Sequence, residues 1–254
     1  MNIFKVFVKK YAAISALLIL FLFIVIAFLT NSTLQFLFKN KVWAHKVNSI
    51  EKLDEASKLF PGAELDAVFY AKGNYFEVNH PPDKSINLSL TDYFKSLSNN
   101  HKYKYWIDFK NLNEENEVQS SNTLDSITKL VGITNSHIIV ESMNPQFLKS
   151  FRDKGFFTSY YLPEDLCSMN ADILNETLDK IKTNIRLYDI PYISANYKDY
   201  PIIKTHFPDK KILTWFTVYG SMNKISARIL LYKILCDENV EVLLIPFHSK
   251  KGNS

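Results

Sequence analysis

The 254-residue chain has few of the residues that cross-link a fold or wrap around phosphate groups: two cysteines and six glycines. Cys167 and Cys236 lie far apart and outside any CxxC pair, which argues against a cysteine-based zinc or redox site. We expect two buried, reduced side chains, with one disulfide as the alternative. The GxxxxGK[ST] phosphate loop, the GxGxxG dinucleotide motif and the GxSxG hydrolase motif are also absent. The sequence therefore argues against those nucleotide-binding classes and against a serine hydrolase.

A large excess of charge of one sign is missing as well. The formal net charge is +4, and the basic residues are scattered without forming a dense stripe. Nucleic-acid binding, which needs such a stripe to neutralise phosphates, is therefore not expected. Hydrophobic residues make up 47% of the chain and charged residues 22%, a balance that fills the core of one large globular domain.

The N-terminus carries a long hydrophobic run. Residues 12–30 contain no charged side chain, and Lys5, Lys9 and Lys10 precede them. About 20 apolar residues span a bilayer as a helix, whereas a cleaved signal peptide, the alternative, has a shorter core and a small-residue cleavage site. We therefore predict a tail at residues 1–11, an uncleaved transmembrane signal anchor at 12–30 and a connector at 31–41. The domain that follows is expected on the extracytoplasmic side of a single-pass membrane protein.

Apolar segments alternate with amphipathic ones over residues 42–250. Eight segments have the length and composition of strands buried on both faces. They lie at residues 42–45, 63–69, 105–109, 138–140, 156–162, 192–195, 212–218 and 240–246. Helical patterns lie at residues 49–60, 90–97, 121–131, 145–152, 170–187, 197–207 and 224–236. Eight strands alternating with helices predict an α/β protein, a (β/α)8 TIM barrel that follows the membrane anchor.

Charged residues stand in pairs on two of these strands. Glu64 and Asp66 in the second strand are spaced i and i+2, as are Asp108 and Lys110 in the third, so each pair projects from one face. Charges side by side in apolar strands are costly unless a partner neutralises them. Carboxylate oxygens suit Mg²⁺ or Ca²⁺, so Glu64, Asp66 and Asp108 are the predicted ligands of one divalent ion. Lys110 is predicted to contact a phosphate bound by that ion.

Two histidines and two further side chains complete the predicted site. His45 ends the first strand and His80 follows the second, so both are expected beside the acidic residues as general acid and general base. Glu141 ends the fourth strand and Trp215 lies in the seventh, where they are predicted to contact the substrate. The alternatives are structural ion pairs at the strand ends and a tryptophan buried in the core. Convergence on the C-terminal rim of one barrel favours the catalytic interpretation.

The order of these residues resembles a known superfamily. His45, then Glu64-Leu65-Asp66, then His80 is similar to the motif order of the glycerophosphodiester phosphodiesterases and phospholipase-C-like phosphodiesterases. Thr214-Trp215-Phe216-Thr217-Val218 is similar to their Trp-Thr-Val segment, and Asp108-Phe109-Lys110 resembles the Asp-x-Lys of the sphingomyelinase D branch. More narrowly, four segments look like the menorin family: Trp43-Ala44-His45-Lys46-Val47-Asn48-Ser49, Glu64-Leu65-Asp66, Asn79-His80-Pro81-Pro82 and Ile107-Asp108-Phe109-Lys110.

The resemblance implies a metal-dependent barrel that cleaves phosphodiesters, with acid–base roles for the two histidines and metal ligation by the three carboxylates. The chain departs from the His-Arg-Gly that is typical of glycerophosphodiesterases, because Lys46 and Val47 follow His45. Lysine does not replace the bidentate phosphate contact of arginine. We therefore expect a phosphodiesterase-like protein that acts on a glycerophosphodiester or a phospholipid head group. The alternative is a catalytically inactive, membrane-anchored binding or scaffold protein on the same barrel.

Overall fold

Eight parallel strands form a closed barrel. The structure is a computed structural model that describes residues 2–97, 102–216 and 225–249. The barrel strands are β1 (Val42–His45), β2 (Gly62–Tyr70), β4 (Lys104–Phe109), β5 (Ile138–Ser142), β6 (Phe157–Tyr161), β7 (Tyr192–Asn196), β8 (Lys211–Trp215) and β9 (Val240–Pro246). They are neighbours in this order, and pairing of β9 with β1 closes the ring. The predicted TIM-like α/β fold is confirmed, although Thr217 and Val218 of the predicted seventh strand lie outside the described residues.

A ninth strand, β3 (Tyr75–Val78), lies outside the barrel. It pairs antiparallel with the end of β2, with Ala67 opposite Val78. This strand is not among the eight predicted ones, because it lies outside the alternation of strands and helices and pairs with the part of β2 that extends beyond the barrel. The hairpin returns the chain to the barrel rim, where the N–H of Asn79 donates to the carbonyl of Asp66 at 3.1 Å. His80 follows directly, so the hairpin delivers it to the C-terminal end of β2.

Helices cover the outside of the barrel. Those of the described residues are α1 (Asn2–Leu29), α2 (Asn31–Leu37), α3 (Ile50–Ala56), α4 (Leu90–Lys95), α5 (Glu117–Val131), α6 (Lys149–Arg152), α7 (Ala171–Leu187), α8 (Tyr200–His206) and α9 (Ile225–Cys236). The side chains of Ser49, Ser89 and Asn170 cap α3, α4 and α7, each accepting a backbone N–H three residues on. The helices predicted at 145–152 and 197–207 open with 3₁₀ turns, so α6 and α8 are shorter than expected.

Two hydrophobic clusters stabilise the barrel. The larger lies between the strands and the surrounding helices. The smaller lies inside the barrel and consists of Trp43, Trp106, Ile139, Leu213, Trp215, Val242 and Leu244. Because Trp106 precedes Asp108 by two positions on the same face of β4, this cluster lies beneath the polar residues at the strand end. Packed apolar side chains therefore lie directly beneath the polar residues at the C-terminal end of the barrel.

The first helix, α1, runs without a break across the predicted tail and anchor. Phe28 near its end stacks on Tyr232 of α9 with ring centroids 4.8 Å apart, and Arg228 of α9 donates to Asn31 at 2.8 Å. The next helix, α2, occupies most of the predicted connector. Within the described ranges, no helix combines the length and the hydropathy that crossing a membrane requires.

The cysteines differ from the prediction. Cys167 and Cys236 are both exposed and both free, so they are neither buried nor bridged. Cys167 lies in a 3₁₀ turn between β6 and α7, and Cys236 is the last residue of α9. Both positions are at the surface ends of elements, which the sequence spacing alone does not reveal.

Candidate active site

A row of polar side chains crosses adjacent strands of the barrel. Asp66 of β2 is in register with Asp108 of β4. Asp108 is in register with Glu141 of β5, which pairs in turn with Ser159 of β6. Glu64 precedes Asp66 by two positions and projects from the same face of β2. The parallel ladder thus brings residues that are far apart in sequence to one height at the C-terminal end of the strands.

All the predicted site residues line one cavity of about 280 Å³ at this end: His45, Glu64, Asp66, His80, Asp108, Lys110, Glu141 and Trp215. Lys46, Trp106, Tyr161 and Glu164 line it as well. The structure therefore brings together side chains from five predicted strands and the loops that follow them. Their chemical roles remain predictions.

Three carboxylates converge in this cavity. One oxygen from each of Glu64, Asp66 and Asp108 lies within 4.8 Å of the other two. Glu64 and Asp66 are buried, and Asp108 is half-buried. Two ligands of one Mg²⁺ or Ca²⁺ are at most about 4–5 Å apart, because each lies about 2.0–2.6 Å from the ion. The set of oxygen donors therefore fits one hard divalent cation.

Lys110 supplies the positive charge nearest to these carboxylates. Its Nζ lies 2.7 Å from Asp66 Oδ1 and also contacts Asp108 Oδ2. The backbone N–H of Lys110 donates to the carbonyl of Ala67 at 3.0 Å, which holds the residue against β2. Because one ammonium faces three carboxylates, a further cation would be needed to balance them when all three are ionised.

The pKa shifts of the carboxyl groups follow from this crowding. Burial, together with the charges of Asp66 and Asp108, raises the pKa of Glu64 well above its usual value. Burial and the Asp66 charge likewise raise the pKa of Asp108, against the opposing charge of Lys110. Burial also acts to raise the pKa of Asp66, but the Lys110 charge and hydrogen bonds from neighbouring side chains outweigh it and lower that pKa. Asp66 is therefore the carboxylate that its surroundings hold most firmly in the ionised form.

The loop after β1 positions two of the carboxylates. Lys46 adopts a left-handed backbone conformation with φ of 54°, and its N–H donates to Glu64 Oε2 at 2.7 Å. A left-handed conformation costs a non-glycine residue about 1–2 kcal/mol, which a hydrogen bond to a buried carboxylate offsets. Asn48 Nδ2 donates to Asp66 Oδ2 at 2.6 Å, and Asn48 Oδ1 accepts the backbone N–H of Asp66 at 2.9 Å. This double contact fixes the orientation of the Asp66 carboxylate.

The two histidines lie against different carboxylates. His45 Nε2 is 3.7 Å from Glu64 Oε2, and His80 Nδ1 is 2.9 Å from Asp66 Oδ1. Burial, reinforced by the charge of Lys46, lowers the pKa of His45 to about 4, so this imidazole is neutral near pH 7. Each ring stands at the cavity wall, where it can exchange a proton with a bound ligand.

Glu141 lies deeper in the barrel and has an unsatisfied oxygen. Its Oε2 is buried without a hydrogen-bond partner among the described residues, and the same holds for Ser159 Oγ. Burial, then the charge of Asp108, raises the pKa of Glu141 well above its usual value. Buried polar atoms without partners are uncommon and are often satisfied by a water or a ligand. The substrate contact of Glu141 stays a prediction.

Trp215 packs in the barrel cluster and also lines the cavity. Tyr161 stacks on it with ring centroids 5.0 Å apart and an interplanar angle of 10°. Trp106 meets Trp215 edge-on at 6.4 Å. The hydroxyl of Tyr161 donates to Glu164 at the cavity rim. Together these residues form an aromatic wall with a carboxylate at its edge.

Sequence analysis missed Asn48, Tyr161 and Glu164. Asn48 lies in a loop, where asparagine is common and carries no distinctive signal. Tyr161 follows Ser159 by two positions in β6, so both side chains project into the barrel. The alternation of side chains along this strand could therefore have identified Tyr161 as a site residue. Glu164 follows Tyr161 by three positions in the loop after β6, and the sequence gives no sign that this loop reaches the cavity.

Removing the Asn48 side chain tests whether it positions a metal ligand. We expect Asn48→Ala to weaken Mg²⁺ or Ca²⁺ binding by about 10- to 100-fold, because Asp66 loses the hydrogen bonds that orient it. Isothermal titration calorimetry with each ion measures the change. Asn175→Ala, at an exposed position of α7, is the matched control. Equal affinity of the Asn48 variant and the wild type would show that Asn48 has no part in ion binding.

The fold and the cavity define a TIM-like barrel with an acidic site, flanked by two histidines, at its C-terminal mouth. No family model and no curated protein matches the chain. Among solved structures, a glycerophosphodiester phosphodiesterase from Parabacteroides distasonis is similar at 14% identity and a TM-score of 0.57, over 82% of this chain and 93% of that one. An Oleispira antarctica phosphodiesterase in complex with the product sn-glycerol-3-phosphate is similar at 13% identity and a TM-score of 0.53, over 83% and 94% of the two chains.

A GH18 chitinase from Pseudoalteromonas aurantia is similar as well, at 10% identity and a TM-score of 0.51, over 84% of this chain and 96% of that one. Identities this low show the fold alone, and one fold hosts many reactions. The structural neighbours include glycerophosphodiester phosphodiesterases. The narrower resemblance to the menorin family stays a prediction.

Proposed function

We propose that the protein is a metal-dependent phosphodiesterase that acts on glycerophosphodiesters or phospholipid head groups. One observation carries the proposal: three carboxylates converge within 4.8 Å at the C-terminal end of the barrel, and a histidine lies against each of two of them. A structural ion pair would require one carboxylate for each ammonium group. The additional carboxylates and the two histidines at the same cavity therefore favour a metal-binding, catalytic site over a structural ion pair. Active sites of TIM barrels lie at this end.

In the proposed reaction, a hydroxyl oxygen attacks phosphorus and the bond from phosphorus to the leaving oxygen breaks. One of His45 and His80 takes the proton of the attacking hydroxyl, and the other gives a proton to the leaving oxygen. With water as the attacking group, the products are a phosphomonoester and an alcohol. With a hydroxyl of the substrate itself, the products are a cyclic phosphodiester and an alcohol.

Glu64, Asp66 and Asp108 are the residues proposed to hold the ion. When bound, Mg²⁺ or Ca²⁺ supplies Lewis acidity that stabilises the negative charge developing on the phosphate oxygens. Lys110, which contacts Asp66 and Asp108, adds a positive charge on the same side of the cavity. The cavity of about 280 Å³ suits a phosphate with small substituents rather than a whole lipid.

The choice of substrate class rests on similarity. The Oleispira antarctica phosphodiesterase was solved with sn-glycerol-3-phosphate as its product, and further neighbours are glycerophosphodiester phosphodiesterases. Lys46 stands where typical members carry arginine, so we propose a phosphate contact through Lys110 and the ion instead. Membership of the menorin branch is our narrower proposal, supported by the four motif segments between residues 43 and 110.

A panel of phosphodiesters tests this function. We expect the full chain with Mg²⁺ or Ca²⁺ to cleave a glycerophosphodiester, and EDTA to abolish the cleavage. The panel also contains phospholipid vesicles and bis(4-nitrophenyl) phosphate. If the folded protein cleaves none of these with either ion, the enzymatic proposal fails and the binding or scaffold alternative is favoured.

We also propose, on the sequence alone, that the uncharged run at residues 12–30 anchors the protein in a membrane with the barrel on the extracytoplasmic side. Within the run, the apolar side chains of Leu17, Leu18, Phe21 and Phe23 are 63–67% exposed. Large exposed apolar surfaces mark contacts with lipid or protein. Lys39, Lys41 and Lys46 follow the run as three lysines precede it, so the orientation proposed is the usual one for a short N-terminal tail and does not rest on charge.

Labelling of the natural cysteines tests on which side of the membrane the barrel lies. Cys236→Ser leaves Cys167, an exposed thiol on the barrel, as the one cysteine of the chain. We expect a membrane-impermeant maleimide to label Cys167 in intact cells, and the labelled protein to stay in the membrane pellet after a carbonate wash. A variant that also carries Cys167→Ser is the background control. Labelling that requires cell lysis would contradict the extracytoplasmic location.

A further inference from the structure

A second cavity adjoins the candidate active site. It has a volume of about 350 Å³ and lies between the loop after β1, with the start of α3, and the loop that leads from β3 to α4. Lys46 and His80 line both this cavity and the acidic one, so the two cavities meet at these side chains. We call it the basic groove, because three lysines line it, namely Lys46, Lys52 and Lys84.

The lysines of the basic groove have few partners for their charge. Lys52 is half-buried in the first turn of α3, and its ammonium donates to the carbonyl of Lys46 at 3.0 Å. An ammonium carries three N–H donors, and among the described residues only this one has a partner. Within the same part of the chain, no carboxylate forms an ion pair with any of the three lysines. Asp83 is the one acidic residue among the described lining residues, so positive charge is in excess there.

The surroundings of Lys52 favour a bound anion. Burial lowers the pKa of Lys52 against the charge of Glu64, and the nearby charge of Lys46 lowers it further. A half-buried ammonium beside a second positive charge is costly unless a negative group pairs with it. An anion in the groove would supply that group to Lys52 and Lys46 together.

A phosphate group suits this groove. It offers several acceptor oxygens, and lysine binds phosphate through its charge without demanding the fixed geometry of arginine. Lys52 and Lys84 reach the groove from two separate segments of the chain, so they can contact different oxygens of one phosphate. The acidic cavity beyond His80 already has a proposed place for the phosphate that is cleaved. The groove therefore provides for another one.

We propose that the basic groove binds a second phosphate group of the substrate, so that the preferred diesters carry another phosphate on the part that extends past His80. The inference rests on the proposed function and names the substrate class of the same site. The second phosphate is either a monoester on the alcohol or the next diester of a chain. Both present the same anionic oxygens to the lysines.

Two pairs of substrates test the inference and separate these sources. One pair is glycerophosphoinositol and its 4-phosphate, which adds a monoester. The other is glycerophosphoglycerol and bis(glycerophospho)glycerol, which adds a second diester. In at least one pair, we expect kcat/KM for each scissile bond to be about 10-fold or more higher with two phosphates than with one. Preference in the first pair identifies a monoester, and preference in the second identifies a chain of diesters.

Lysine variants show whether the preference arises in the groove. Lys52→Gln and Lys84→Gln are each expected to reduce the ratio of the preferred pair by about 3-fold or more, because the second phosphate loses a charged donor. Lys58→Gln removes an exposed lysine that pairs with Asp54 outside the groove, and it is expected to keep the wild-type ratio.

The substrate ratios separate this inference from the proposed function. If the diesters are cleaved and neither pair shows a preference, the second phosphate site is wrong while the phosphodiesterase assignment stands. The same holds if the groove variants lower both rates of a pair equally. If no diester is cleaved, the proposed function fails, and phosphate binding alone then decides whether the groove is an anion site.

A binding measurement tests the groove without turnover. In EDTA the acidic cavity lacks a divalent ion and its carboxylates repel anions, so bound phosphate reports on the groove. We expect inorganic phosphate to bind the full chain saturably in isothermal titration calorimetry. Lys52→Gln is expected to weaken this binding by about 3-fold or more, and Lys58→Gln to leave it unchanged. Absence of saturable binding, or equal affinity of the Lys52 variant and the wild type, would overturn the inference even for an active phosphodiesterase.

Discussion

Asp66→Asn is expected to lower phosphodiesterase activity by about 1,000-fold or more and to abolish measurable Mg²⁺ or Ca²⁺ binding. Asp66 is 1% exposed and contacts Lys110, His80 and Asn48, so it is the best-connected carboxylate of the cluster. Asparagine keeps the shape of the side chain but removes the charge that a divalent cation requires. Initial rates and calorimetric ion titrations on the same preparations measure both effects.

Two controls make the Asp66 result interpretable. Asp153→Asn removes an exposed carboxylate outside the cavity and is expected to behave as the wild type. Asp108→Asn changes a second proposed ligand and is expected to reproduce both losses with the fold intact by circular dichroism. A folded Asp66→Asn variant that binds the ion with wild-type affinity would contradict the metal site, and one that keeps wild-type activity would contradict its catalytic role.

His45→Asn and His80→Asn are each expected to lower kcat by about 100- to 10,000-fold while leaving ion binding nearly unchanged. Both rings line the cavity, but neither is needed as an ion ligand because three carboxylates already converge there. The histidine variants are therefore expected to lose rate alone, whereas Asp66→Asn is expected to lose both ion binding and rate. His206→Asn, on α8 and outside the described cavity lining, is the matched control.

The leaving group separates the roles of the two histidines. A 4-nitrophenolate leaving group needs no protonation, so loss of the general acid costs little rate with such a substrate, whereas loss of the general base stays costly. We expect one histidine variant to recover much of its activity with a 4-nitrophenyl phosphodiester and the other to remain slow. If both variants recover equally, or neither does, the division into an acid and a base is wrong.

The sequence predicts the barrel and most of the site because both depend on short-range patterns. Apolar runs of strand length mark the barrel strands, and the i, i+2 spacing of Glu64 and Asp66 fixes the face from which they project. Since parallel strands end at one rim, Asp108 and Glu141 could be placed beside Asp66 without knowledge of the exact register. The register then aligns Asp66, Asp108 and Glu141 in one row.

Features that depend on the folded surroundings of a residue were either not predicted or predicted wrongly. Asn48 orients Asp66 through a loop whose path is set by the left-handed Lys46, and sequence spacing contains no sign of that turn. The contact of Glu164 with Tyr161 is local, since three positions separate them, and it was missed because Tyr161 was not identified as a site residue. The expected burial of Cys167 was wrong, because residue type favours the interior while its loop position places it at the surface.

Phosphorus-31 NMR of a glycerophosphodiester incubated with the full chain tests the central proposal most directly. With Mg²⁺ or Ca²⁺ present, we predict that the diester resonance decays while a phosphomonoester or cyclic phosphodiester resonance grows. We further predict that EDTA stops the reaction and that added ion restarts it. A diester resonance that stays constant with the folded protein and either ion, or that decays equally in EDTA, would contradict a metal-dependent phosphodiesterase.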